Sequence, residues 1–160
     1  MLPLAHVAYG SFFSILIYIL FPQIGALGIF FIFAASVLID IDHYFASLIA
    51  GNGFSLKKAY HWFLGQDQDI ESHVQKWFIP FHSIEFFFIM FLVWLFSNGI
   101  FADIVLYTFI GCLIHMILDL IELYNSKYPM YLKLSCVYIF FKHRHLVKVL
   151  IKSKSKTFKY

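Results

Sequence analysis

The 160-residue chain is 61% hydrophobic and 13% charged, with 21 phenylalanines and a formal net charge of +3; its mean hydropathy is +0.79. A soluble domain carries about 25% charged residues, and a fold this small cannot hide so much apolar surface behind so few polar side chains. The composition therefore argues against a water-soluble globule, and two cysteines in unlike surroundings, Cys112 and Cys136, argue against a disulfide scaffold.

Four apolar segments, over residues 5–21, 24–39, 84–96 and 101–123, predict an all-α polytopic membrane helix bundle of about four transmembrane helices. The opening MLPLAHVAYGSFF lacks a basic leader and a small-residue cleavage pattern, so it reads as the first membrane segment. Phe21-Pro22-Gln23 makes a tight link to the second segment, with the proline at a helix start. The cytoplasmic loop 44–81 follows, polar in patches, with the acidic run DQDIES at 67–72 and a short surface helix expected near 56–63. The third segment, which extends back to His82 or Ile79, ends at Ser97-Asn98-Gly99, where a glycine suits a helix terminus. Residues 1–133 thus form a membrane-embedded helical domain. Residues 134–160 read as an amphipathic interfacial helix and a basic tail that meets anionic lipid headgroups.

Counting helices puts the tips 21–23 and 97–99 on one side of the membrane. All twelve Lys and Arg residues fall on the other, which the positive-inside rule makes cytoplasmic. Both termini lie on that side of the cell membrane, and nothing beyond the tail's charge speaks for nucleic acid.

The same count gathers His6, Asp40, Asp42, His43, His82, His115 and Asp119 at the cytoplasmic end of the bundle, with Glu85 and Glu122 close by. His115 and Asp119 are four apart and share a helix face. Ionisable groups at membrane depth need partners, and histidines with carboxylates find one in a divalent metal, Zn²⁺ first, Mn²⁺ or Fe²⁺ next. One or two ions would fit this donor set and suit hydrolysis of a phosphoester. His6 is a ligand or a proton-transfer residue, and Glu85 or Glu122 is a candidate general base. Each element also has a plainer reading: helix-end polarity for Asp40-Ile41-Asp42-His43, and a structural hydrogen bond for His115 with Asp119. His61, His73, His143 and His145 read as loop or interface residues.

The order of these elements resembles the inner-membrane-bound, metal-dependent hydrolase family. The matching residues are His6 and Gly10, Asp40-Ile41-Asp42-His43, His82-Ser83, and Gly111 with His115 and Asp119. The resemblance covers residues 6–119 and implies a metal site. KWFIPFHS lacks the arginine, glycine and threonine that the family places before its His-Ser pair, and LIELYNS lacks the family's later threonine and glycine. The expected activity is a metal-dependent hydrolase, phosphoesterase-like, acting on a phospholipid or other lipid-linked amphipathic substrate at the cytoplasmic interface. A metal-ion transporter or sensor, or a structural membrane protein, are the alternatives.

Overall fold

The structure, a computed structural model, describes residues 3–51, 53–64, 79–124 and 135–142. It is helical, with no strand among the described residues. The helices are α1 (Pro3–Leu20), α2 (Gly25–Leu38), α3 (Ile41–Ile49), α4 (Leu56–Leu64), α5 (Ile84–Leu95), α6 (Gly99–Tyr124) and α7 (Cys136–Lys142). Single 3-10 turns at Pro22–Ile24 and Pro80–His82 precede α2 and α5, each with its proline at the first position. The chain divides into two compact units, Met1–Asp40 with Phe86–Met130, and Ile41–Glu85 with Tyr131–Tyr160.

In the first unit α2 packs chiefly on α6, with α1 set against both. What these helices bury is unusual for water-soluble proteins. The inward positions of α1 are His6, Gly10 and Ser14, and those of α2 are Gly28, Ile32 and Ser36. Both sets recur every four residues and so form one stripe per helix. The outward positions include Phe12, Ile15, Ile19, Phe30 and Leu38, all more than half exposed. Small and polar residues inside with large apolar residues outside is the pattern of helices that pack within lipid.

α6 approaches the backbone of α2 closely at Gly111. A Cβ built there would lie 2.3 Å from the Ile32 carbonyl oxygen and 2.8 Å from the Ala35 Cβ, so only glycine lets α6 sit this near α2. Phe87 meets Phe109 edge to face, with ring centroids 5.9 Å apart, and ties α5 to α6. The α5–α6 tip turns through Gly99 at φ +59°, a left-handed backbone that glycine adopts without strain.

Two stretches, Pro22–Ile49 and Gly99–Ile121, are long and apolar enough to cross a membrane. The core helix of a soluble protein would be mostly buried, yet only 22% and 39% of these two windows are. The apolar helices α1 and α5 are shorter: 18 and 12 residues rise about 27 and 18 Å against a hydrocarbon core of about 30 Å.

In the second unit α3 and α4 form a hairpin. Ala59 of α4 is buried, and the Tyr44 hydroxyl donates to the Phe54 carbonyl at 2.8 Å across its mouth. The short helix near 56–63 that the sequence predicts is α4. Of the 134–151 segment, Cys136–Lys142 is helical, Ser135 precedes it, and the remainder lies outside the described residues.

Candidate metal centre

In the first unit, the stripes of α1, α2 and α6 converge on two stacked imidazoles. The His6 and His115 rings lie 3.9 Å apart at an interplanar angle of 16°, and both side chains are buried. Nδ1 of His115 is 2.8 Å from the Ser36 carbonyl oxygen, which can only accept, so that nitrogen carries the proton. Ser36 lies in the last turn of α2, where carbonyls run out of helical donors. In a neutral ring the other nitrogen, Nε2, is then a bare lone pair. It points at carboxylates, 3.3 Å from Asp40 Oδ1 and 3.7 Å from Asp119 Oδ2.

His6 completes the group. Its Nε2 is 3.3 Å from Asp119 Oδ1, and its Nδ1 is buried with no hydrogen-bond partner. A lone pair facing two carboxylate oxygens is repulsive unless a cation lies among them, and the cation is either a proton or a metal. The spacings accommodate the second. Ligands held about 2.0–2.2 Å from a tetrahedral Zn²⁺ are about 3.3–3.6 Å from one another, close to the 3.3–3.7 Å found here. His6, Asp40 and His115 each offer a ligand atom within 4.8 Å of the others and could hold an ion. An imidazole that donates its far nitrogen to a carbonyl while presenting the near one is also how metal-binding histidines are oriented.

In the second unit Asp42 is the hub. It is buried, and its Oδ1 lies 2.7 Å from His43 Nδ1, while its Oδ2 lies 3.1 Å from His82 Nδ1 and accepts the Phe81 N–H at 3.0 Å. An ionised carboxylate only accepts, so both imidazoles carry a proton on Nδ1, which in a neutral ring makes Nε2 the acceptor nitrogen. The two rings meet edge to face, with centroids 4.7 Å apart. Asp42 thus orients two histidines and has its own oxygens occupied in doing so. Ser83, beside His82 and buried with it, donates its hydroxyl to the Pro80 carbonyl at 2.7 Å and locks the turn that carries His82.

Glu85 stands elsewhere in this unit's chemistry. Its carboxylate accepts the Ser135 hydroxyl and the backbone N–H groups of Cys136 and Val137, at 3.2 and 3.3 Å, at the start of α7. Ser135 in turn accepts the Tyr138 N–H at 3.0 Å. A free helix N-terminus needs acceptors, and Glu85 with Ser135 supplies them. Burial, reinforced by the charge of Glu85, pushes the adjacent Cys136 thiol up to about 11.

His61 is exposed in the last turn of α4, its ring against Tyr60 at 5.7 Å. The side chain of Glu122, and His73, His143 and His145, lie outside the described residues. Sequence reasoning missed the carbonyl of Ser36, the N–H of Phe81 and the hydroxyl of Ser135. The first two are backbone groups and leave no residue-type signal, whereas a serine just before a short helix is a recognisable cap.

Comparison of the chain with protein-family models, with curated proteins and with solved structures yields no match.

Proposed function

We propose that this chain is a membrane-embedded, metal-dependent hydrolase acting on a phosphoester of a lipid or lipid-linked substrate at the cytoplasmic face. One observation carries the reading. His115, whose Nδ1 is committed as a donor to the Ser36 carbonyl, sets its Nε2 against Asp40 and Asp119, beside a buried His6 whose Nδ1 has no partner. His6, Asp40, His115 and Asp119 are the residues that would hold one ion, and His43 and His82, oriented by Asp42, are a second pair of donors. A bound divalent ion supplies Lewis acidity and a water acidified toward neutrality.

The chain's own groups do the rest. Ser36 and Asp42 hold the Nδ1 protons, so that Nε2 of each ring is the nitrogen that would meet an ion. Asp40 is 30% exposed while its neighbours are buried, which makes it the member of the first group that solvent or substrate reaches. In this reading α1 and α5 join the two longer segments as shorter spans, with flanking polar residues or local thinning making up the difference. The twelve basic residues mark the cytoplasmic face. A substrate whose phosphate sits at headgroup depth fits donors at the ends of apolar helices.

Metal analysis of detergent-purified protein tests the proposal, with His115→Ala and Asp119→Ala as comparisons. Wild type retains a stoichiometric divalent ion and both variants lose it, and phosphate release from a panel of phospholipids falls in parallel. Negligible metal in all three proteins rules the site out. Retained metal with no hydrolysis, together with metal flux into liposomes, would assign transport instead.

A further inference from the structure

The tip of the α3–α4 hairpin presents a face that the metal reading does not use. Ile49, Phe54 and Leu56 are 70%, 87% and 71% exposed. Lys57 and Lys58 follow directly and are exposed as well. Between residues 41 and 64 the charged residues are Asp42, which is buried, and these two lysines, so the exposed charge of the hairpin is wholly positive. The backbone holds the tip open. Gly51 and Gly53 adopt φ +90° and +71°, with no atom within 4 Å of where a Cβ would stand. The Ser55 hydroxyl accepts the Lys58 N–H at 3.3 Å and begins α4 there.

We infer that this tip docks onto the anionic headgroup surface of the bilayer, with Phe54 and Leu56 in the upper acyl region and Lys57 and Lys58 on lipid phosphates. The occupant follows from position and charge. The apolar stretch Pro22–Ile49 ends where the tip begins, and on the membrane reading the chain from Asp40 to the tip runs in the headgroup region. Apolar side chains here lie about 5–10 Å into the headgroup boundary, and basic residues beside them meet phosphates. A protein partner would need an acidic groove brought to the same depth, whereas the bilayer is already there. Each lysine at an anionic surface adds about a fivefold preference, so the pair favours the docked state by about 25-fold over a form in which both charges are removed, and by more over its charge-reversed form. The inference rests on the membrane reading of the chain and is independent of whether a metal is bound.

The test places an environment-sensitive nitrobenzoxadiazole label at Leu56→Cys, in a Cys112→Ala/Cys136→Ala background, in nanodiscs of phosphatidylcholine with and without phosphatidylglycerol. The label should be quenched more by lipid carrying a nitroxide near the headgroup than by one at mid-chain. Phosphatidylglycerol should strengthen that quenching, and Lys57→Glu/Lys58→Glu should abolish the strengthening. Quenching by aqueous iodide alone, equal in both disc types, overturns the proposal. Shielding that disappears when each disc holds a single copy assigns the face to a second copy and overturns it too. Hydrogen exchange of the unmodified protein supplies a readout that needs no substitution: residues 53–60 exchange more slowly with phosphatidylglycerol present, and unchanged exchange refutes the docking.

Discussion

Replacing Gly111 by alanine separates two explanations for the near contact of α2 and α6. The new Cβ would stand 2.3 Å from the Ile32 carbonyl oxygen, whereas ordinary contact begins near 3.4 Å, so the helices must part by about 1 Å. The neighbour is backbone and cannot rotate away. One turn further along α6, the bond from His115 Nδ1 to the Ser36 carbonyl, now 2.8 Å, would stretch beyond hydrogen-bond range by the same movement. Overpacking accounts for about 1–3 kcal/mol, and a buried polar pair left unmade for about another 1–3 kcal/mol. The expected loss is thus about 2–6 kcal/mol. Gly10→Ala is the internal control: its Cβ meets the Ser36 Oγ at 2.3 Å, and that hydroxyl can rotate away and leave its bond to the Phe33 carbonyl at a cost of about 1 kcal/mol. Equilibrium unfolding in detergent should find the Gly111 variant more destabilised than the Gly10 variant, and bound metal should fall only where α6 moves. Equal midpoints for the Gly111 and Gly10 variants would refute the reasoning. Full metal occupancy in a destabilised Gly111→Ala would detach the histidine's orientation from the helix spacing.

Three further outcomes follow from the second unit. Asp42→Asn keeps the shape but offers one acceptor to three donors, so unfolding should show a loss of about 1–3 kcal/mol and ¹⁵N spectra should show one imidazole switching its proton to Nε2. Glu85→Ala removes the acceptors at the start of α7, so hydrogen exchange at residues 136–138 should accelerate by the equivalent of about 1 kcal/mol, with metal content unchanged; a loss of metal would instead tie Glu85 to the site. With its thiol raised from 9.0 to about 11, Cys136 carries about 100-fold less thiolate at pH 8 than an ordinary cysteine, so its alkylation in the folded protein should be slower by that factor and still rising with pH above 10. Alkylation at the rate of the unfolded chain would contradict the burial of that side chain.

The apolar segments were legible because hydrophobic length alone separates helices from links, and the structure returns a helix for each. The pairing of His115 with Asp119 was legible too, because four residues along a helix fix a shared face whatever surrounds it. The region of Asp40 to His43 was harder. α2 ends at Leu38 and α3 begins at Ile41, and apolar composition does not mark where that two-residue break falls. Asp42 is buried between two imidazoles because Phe81 and His82 come to it from forty residues away. The carboxylate of Glu85, a candidate general base, accepts from a helix start fifty residues on. Spacing reads contacts within a helix and is silent about contacts between them.

The bond from His115 to Ser36 joins residues 79 positions apart, through a carbonyl that exists as a free acceptor only because α2 stops. During synthesis, α2 is complete long before residue 115 leaves the ribosome. The imidazole therefore cannot take this orientation until α2 and α6 have both formed and have found each other. On the proposed reading, the ability to hold an ion would then report finished assembly, because a chain whose last long helix has yet to join α2 lacks the arrangement.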